Sequence, residues 1–275
     1  MKTAPVIALF FILMANICYG QYYFNDIIIT QQTNKQYIIL KNNRVQQVSA
    51  KSFEADGEPT ENFVLEQTVS GNGNTITTTA NYPSAGTSET VSLYANNRIM
   101  QTTANTENIK STTNYLYDER NIIAINSNTE DGFMNNASQE KHLWQYQNNQ
   151  PVQMLLIKNN TDTTIVDFVQ DEQGNIAEEH WKKKGRTTEK YFYYYNSQNQ
   201  LTDIVRYNAK AQRLLPEYLF EYDTTGTVTQ LTQVPQGSAE YLIWQYRYAD
   251  NNLKQKELCF NKQKQLVGRI DYSYR

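Results

Sequence analysis

Apolar and polar residues alternate with a period of two along most of this chain, and aromatic or β-branched residues fill the apolar positions. The alternation is clearest at residues 75–79, 190–195 and 241–248. Because successive side chains of a strand point to opposite faces, the pattern predicts short β-strands. Helical spacing is weak, and the best helical candidates are the short segments 138–144 and 209–215.

The predicted strands are separated by turns that use asparagine where glycine is more usual. Asn-Asn pairs occur at 42–43, 96–97, 135–136, 148–149, 159–160 and 251–252. Asparagine tolerates a positive φ, so such pairs suit the tight turns of β-hairpins. Segments 40–45 and 94–99 are nearly identical, and both are predicted as hairpin tips.

A second turn pattern starts with an aromatic residue followed by Asp or Asn and ends at an aliphatic residue. Its best copy is Tyr222-Asp223-Thr224-Thr225-Gly226-Thr227-Val228, and altered copies begin at residues 117, 170, 195 and 260. The Asp or Asn side chain is suited to cap its own turn. The unit resembles the Tyr-Asp repeats of RHS-type β-repeat proteins, although most copies replace Asp by Asn or Gly by Asn or Lys. The resemblance implies repeated hairpins and little about activity.

These patterns predict an all-β fold, a long antiparallel β-meander of about 16–20 short strands. The expected sheet is either one twisted layer or an open half-barrel. Residues 55–62 are predicted as a loop. Residues 126–139 are polar and lack apolar periodicity, so the predicted domain, 21–275, either has a sub-boundary near 126–140 or continues through it as one extended meander. The continuous hairpin spacing on either side favours the single meander.

The first twenty residues have the pattern of a secretory signal peptide. Lys2 precedes an apolar run over residues 6–15, and Gly20 offers a small residue for cleavage before Gln21. A lipoprotein signal with Cys18 as the lipidated residue is the alternative, although Ile17 is bulky for the position before it. We therefore expect an exported protein of the periplasm or cell surface, with no transmembrane segment after residue 20.

Charge and residue content argue against several chemistries. The formal net charge of -3 lacks the basic excess that nucleic-acid binding needs. His142 and His180 are the two histidines, and after the leader Cys259 is the one cysteine, so neither a catalytic triad nor a zinc set is indicated. Glu178 and His180 share a strand face, which suits an exposed ion pair. No enzyme activity, cofactor or metal is predicted.

Aromatic side chains are the remaining candidates for binding. Tyr191, Tyr193 and Tyr195 share one strand face, and Trp181 and Trp244 lie in similar strands. Such a row would either bury a sheet face or form a platform for sugar rings or another chain.

The predicted function is an exported, non-catalytic β-repeat protein that binds a protein or glycan partner in the cell envelope. The alternatives are a carbohydrate-active hydrolase with carboxylates on loops and a curved-sheet carrier of lipid or lipoprotein. The hydrolase would need two carboxylates facing each other across a cleft. The carrier would need a large open pocket.

Overall fold

The computed structural model describes residues 21–82, 86–236 and 238–275, which form eighteen β-strands preceded by a helical segment. The predicted leader, with Cys18, lies outside the described residues. The all-β class and the antiparallel meander are confirmed, and the strand number falls within the predicted range. The strands are β1 Gln47–Glu54, β2 Val64–Val69, β3 Thr75–Tyr82, β4 Gly86–Ala95, β5 Arg98–Asn105, β6 Ile109–Tyr117, β7 Ile122–Asp131, β8 Asn136–Gln147, β9 Gln150–Lys158, β10 Asp162–Gln170, β11 Ile176–Lys183, β12 Arg186–Tyr195, β13 Leu201–Asn208, β14 Arg213–Tyr222, β15 Val228–Gln233, β16 Leu242–Tyr248, β17 Lys254–Phe260 and β18 Leu266–Tyr274.

The sheet is a closed barrel. Each strand pairs antiparallel with the next along the chain, and β18 pairs with β1 in a register that runs from Val48 opposite Tyr274 to Glu54 opposite Gly268. The expectation of a twisted single sheet or an open half-barrel is therefore wrong. Closure pairs the hydrogen-bonding groups of the first and last strands, which would otherwise be left at exposed edges.

The turn chemistry follows the sequence prediction at most hairpins. Both asparagines have a positive φ at 96–97, 148–149 and 159–160, as a tight hairpin turn requires. In the β14–β15 turn, Asp223 Oδ1 accepts backbone hydrogen bonds from Thr225 and Thr227, each at 2.9 Å, and Gly226 has a φ of 81°. Asp171 and Asn196 cap their own turns in the same way.

A helical segment, which the sequence pattern did not predict, lies inside the barrel. It comprises a π-helical stretch, Tyr23–Ile28, and α1, Ile29–Asn42, and is called the interior helix below. The predicted hairpin tip at 40–45 is wrong, because these residues end the helix. Val45 N donates to Leu40 O and Arg44 N donates to Lys41 O, each at 3.0 Å, while Arg44 has a φ of 53°. This is the hydrogen-bond pattern of a Schellman C-cap.

Three other local expectations are also corrected. Segment 138–144 belongs to β8, and segment 209–215 covers the β13–β14 turn and the start of β14. Residues 126–140 lie in the hairpin of β7 and β8, so they are mostly strand rather than loop. The loop at 55–62 is confirmed, since it joins β1 and β2.

The interior helix runs to one of the two rims of the barrel. The C-terminal part of the interior helix reaches the rim that carries the β2–β3, β4–β5 and β16–β17 turns, which is called the helix rim below. Tyr37 donates to Gly73 O at 2.9 Å, and Asn43 donates to Asn251 O at 3.2 Å. The turns after β10, β12 and β14 lie on the same rim, because the meander reverses direction at every strand. Neither described helical stretch is long and apolar enough to cross a membrane.

Candidate functional site

The aromatic residues predicted as a binding platform face the interior. Tyr191 and Tyr193 are 3% exposed, Trp181 is 9% exposed and Trp244 is 1% exposed, while Tyr195 is half-buried. They belong to the main hydrophobic core together with the start of the interior helix. These side chains are therefore packed inside the barrel rather than displayed as a platform, and a role in binding a partner stays a prediction.

A buried carboxylate on the barrel wall holds the start of the interior helix. Glu179 Oε1 accepts hydrogen bonds from Tyr22 N at 2.8 Å and from Trp181 Nε1 at 2.6 Å. Its Oε2 accepts from Tyr23 N at 3.0 Å and from the Tyr193 hydroxyl at 2.6 Å. Burial raises the pKa of Glu179, and the four donors act against that rise. A negative charge at a helix N-terminus also interacts favourably with the helix dipole.

A second buried polar cluster fixes the next turn of the interior helix. His142 Nδ1 lies 2.6 Å from Asp26 Oδ2, which also accepts from Trp144 Nε1 at 3.0 Å. On its other side His142 Nε2 lies 2.9 Å from Glu140 Oε1, and Lys158 pairs with Glu140 at 3.0 Å. Burial acts to lower the pKa of His142, but Asp26 and then Glu140 outweigh it and raise the pKa to about 10.

The reactive side chains that the sequence singled out are either paired with a neighbouring side chain or buried. Glu178 and His180 form the predicted pair at 2.6 Å, although both residues are half-buried rather than exposed. The Cys259 thiol is buried, and burial together with Glu257 raises its pKa to about 12, which keeps it protonated. Among the described residues, no group of three or more His, Cys, Asp or Glu side chains is placed to hold a metal ion.

The outward face of β12 carries two aromatic side chains, which alternate along the strand with the inward-facing tyrosines. Phe192 is half-buried and Tyr194 is 46% exposed, and both line a groove of about 590 Å³ on the helix rim. This aromatic groove lies between the β10–β11 and β12–β13 turns. Its lining residues are Asp171, Gln173, Asn175, Ala177, Glu178, Phe192, Tyr193, Tyr194, Tyr195, Asn196, Ser197 and Asn199.

A second groove lies on the other side of the β12–β13 turn. It has a volume of about 470 Å³ and shares Asn196 with the aromatic groove. Its lining is mostly polar, so it is called the polar groove below. The lining residues are Asn196, Gln198, Gln200, Thr202, Phe220, Glu221, Tyr222, Asp223 and Thr224.

Both grooves are negatively charged. Burial acts to raise the pKa of Asp171, but hydrogen bonds from the Asn175 side chain and from backbone N–H groups outweigh it and lower the pKa. Hydrogen bonds from the Thr225 hydroxyl and from the Thr227 backbone lower the pKa of Asp223. These two carboxylates are therefore ionised at neutral pH, and no Lys or Arg side chain is among the described residues that line either groove.

Among the residues that line the aromatic groove, the sequence pattern pointed to Tyr193 and Tyr195 as binding candidates but did not single out Phe192 or Tyr194. Strand alternation puts Phe192 and Tyr194 on the face opposite Tyr191 and Tyr193, but alternation alone does not tell which of the two faces is outside. The deciding fact is the interior helix, because the tyrosines that contact it must point inward. The signal that could have favoured Tyr194 is its place next to two Asx-capped turns, which lie on one rim in any regular meander.

Comparisons with known proteins find similarity to solved structures in fold alone. No family model matches the chain, and no curated protein matches it. Among solved structures, the chain is similar to a porin-like protein from Bacteroides uniformis, at 10% identity and a TM-score of 0.40, covering 84% of this chain and 98% of that one. It is similar to the Tc holotoxin pore of Photorhabdus luminescens, at 10% identity and a TM-score of 0.31, covering 78% of this chain and 15% of that one. A third similar structure is a Bacteroides fragilis protein described as exported, with a YmcC-like fold, at 10% identity and a TM-score of 0.22, covering 82% of this chain and 92% of that one.

Proposed function

We propose that this chain is an exported, non-catalytic barrel of the cell envelope that binds a glycan in the aromatic groove. The observation that carries the proposal is the exposed Tyr194 ring, which lies in a groove otherwise lined mainly by amide, hydroxyl and carboxylate groups. A sugar presents an apolar C–H face and a rim of hydroxyl groups. An exposed aromatic ring suits the first, and Asn, Gln and Ser side chains suit the second.

The arrangement of carboxylates supports a binding role rather than hydrolysis. A glycosidase needs one carboxylic acid and one carboxylate free to act on the bond between two sugars. In the aromatic groove, Asp171 accepts hydrogen bonds from its own turn and Glu178 is paired with His180. Neither side chain is held free for proton transfer.

The interior of the barrel disfavours a role as a lipid carrier. A carrier needs a large apolar space for acyl chains. Here the interior helix takes that space, and Phe24 packs between Tyr218 and Phe220 at ring distances of 5.3 and 5.7 Å. Binding to the outer surface leaves this packing undisturbed.

The test measures binding of purified residues 21–275 to neutral oligosaccharides, with cellohexaose, maltohexaose and hexa-N-acetylchitohexaose as probes, by titration calorimetry. We expect one class of probe to bind, and Tyr194→Ala to weaken its affinity about tenfold through the loss of ring stacking. Tyr207→Ala is the matched control, since Tyr207 is 39% exposed on the outer face of the neighbouring strand but lies outside both grooves.

Three results would overturn the proposal. The first is that none of the probes binds, and the second is that the two tyrosine variants lose the same affinity. The third is the release of new reducing ends from a bound probe, which would show that the protein cleaves glycans.

A further inference from the structure

We infer that the ligand is a linear, uncharged glycan that crosses the β12–β13 turn and occupies the aromatic and polar grooves together. This inference rests on the proposed function and specifies its substrate class. It starts from the position of the two grooves, which lie on opposite sides of residues 196–200 and share Asn196. A single chain lying across that turn would contact both.

The repeat of the meander sets the distance between the grooves. Equivalent turns on one rim are two strands apart, which gives a separation of about 10 Å for neighbouring hairpins. A single sugar ring in the aromatic groove is too short to reach the next groove, whereas an extended oligosaccharide is long enough. Chain length therefore decides whether one groove or both are filled.

The two grooves offer different contacts. Tyr194 gives the aromatic groove a stacking surface. The polar groove is bordered by the exposed Gln198, Thr224 and Glu221, with Thr202 half-buried, so it offers mainly hydrogen-bonding groups. A ligand that stacks at one point and presents hydroxyl groups further along matches this order.

The charges of the lining select against acidic glycans. The aromatic groove contains Asp171 and Glu178, and the polar groove contains Glu221 and Asp223. Because the described lining of both grooves lacks Lys and Arg, a glycan carboxylate or sulfate would meet like charges with no cation to pair with. An uncharged glycan avoids that repulsion.

The experiment measures the affinity for a length series, from disaccharide to octasaccharide, of the neutral glycan that binds in the test above. We expect the affinity to rise at least tenfold with length and then to level off once both grooves are filled. The double variant Gln198→Ala/Thr224→Ala should remove most of that gain for the longest probe and leave the shortest binding probe unchanged. Tyr194→Ala should weaken the binding of both.

The controls separate this inference from the proposed function. Gln145→Ala/Thr163→Ala removes one exposed Gln and one exposed Thr elsewhere on the barrel and should change neither affinity. Equal affinity at all lengths, or an unchanged length gain in the Gln198/Thr224 variant, would overturn the two-groove inference while leaving a single-groove binder in place. Tighter binding of hyaluronan or polygalacturonate than of the neutral probe at low ionic strength would overturn the preference for an uncharged chain.

Discussion

Single buried polar residues connect the interior helix to the barrel wall. Glu179 and His142 come from different strands, β11 and β8, and each contacts the first turns of the interior helix from its own side. A buried charge is costly unless it is paired and hydrogen-bonded, so removing one partner leaves the others uncompensated. These contacts therefore fix where the helix starts, and substitutions at either position have large predicted effects.

The first prediction concerns the pH dependence of the His142 contact. We expect His142→Gln to lower the free energy of unfolding by about 3–5 kcal/mol at pH 6, because Asp26 loses its buried charged partner. The folded pKa of about 10 lies above the ordinary value of 6.5, so the contribution is complete below pH 6.5 and is lost as the pH rises to about 10.

The measurement is urea unfolding of both proteins at intervals from pH 6 to pH 10. The difference between wild type and His142→Gln should shrink over that range. A difference that stays constant would show that His142 acts by shape and hydrogen bonding alone. The range excludes acid because Glu140 would titrate there. Burial acts to raise the pKa of Glu140, but His142 and Lys158 outweigh it and lower the pKa from 4.5 to about 2. The contribution of Glu140 to stability is therefore complete above pH 4.5 and is lost only as the pH falls toward 2.

The second prediction compares two adjacent glutamates. Glu179→Gln should destabilise the protein by about 2 kcal/mol, because the amide nitrogen would face two of the four donors that now meet a carboxylate. Glu178→Gln changes the neighbouring outward side chain and should stay within about 0.5 kcal/mol. Thermal unfolding of both variants measures the contrast. A Glu179→Gln protein as stable as Glu178→Gln would remove Glu179 from the role of helix anchor.

At the scale of strands and hairpins, tyrosines link successive hairpins around the helix rim. At the end of several even-numbered strands, a tyrosine hydroxyl donates to the backbone carbonyl near the start of the strand before it. The pairs are Tyr117 to Ile99 at 3.0 Å, Tyr146 to Ile122 at 2.9 Å, Tyr195 to Ile176 at 2.9 Å, Tyr222 to Leu201 at 2.6 Å and Tyr274 to Lys254 at 2.6 Å. The aromatic residue of the Tyr-Asp unit thus joins hairpins, while its Asp caps the turn.

The third prediction tests this link at one hairpin. Tyr222→Phe keeps the ring and removes the hydroxyl that donates to Leu201, so we expect a loss of about 1 kcal/mol. Tyr207→Phe removes an exposed hydroxyl from the outer face and should change stability by less than about 0.5 kcal/mol. Chemical denaturation of the two variants in parallel is the measurement. Equal stabilities would mean that the hydroxyl bond makes no net contribution.

The same elements show how far the sequence could be interpreted. The strands and the Asx-capped turns depend on neighbouring residues, so alternation and turn chemistry predicted most of them. The interior helix escaped because the barrel surrounds it on most sides, which leaves no single apolar stripe, and because Ile27, Ile28 and Ile29 suggest a strand. Its end at 40–45 uses a positive φ at Arg44, and the Asn-Asn pair there looked like a hairpin turn. The aromatic groove was not predicted, because the interior helix determines which face of β12 points outward, and the sequence pattern did not predict that helix.

At the scale of the whole molecule, barrel closure and the interior helix depend on each other. The pairing of β1 with β18 joins residues more than two hundred positions apart, and no local pattern specifies such a contact. The helix touches walls from different parts of the ring: Phe24 packs on β14, and Tyr37 stacks on Tyr94 of β4 with ring centroids 3.9 Å apart. The interior of a closed barrel with this many strands must be filled, and the side chains of the interior helix fill it.

The last prediction follows from that mutual dependence. Phe24→Ala and Tyr37→Ala each remove a buried ring, 2% exposed in both cases, and should each cost about 3–5 kcal/mol. Since the helix joins the buried cluster around Phe24 to the buried cluster around Tyr37, we expect a single transition in which the far-UV signal of the strands and the near-UV signal of the buried Trp144 and Trp181 disappear together. Phe133→Ala is the control, because Phe133 is 85% exposed on the β7–β8 turn and should be nearly neutral. If the near-UV signal were lost first and the strands melted later, the helix would be a removable insert in a barrel that stands without it.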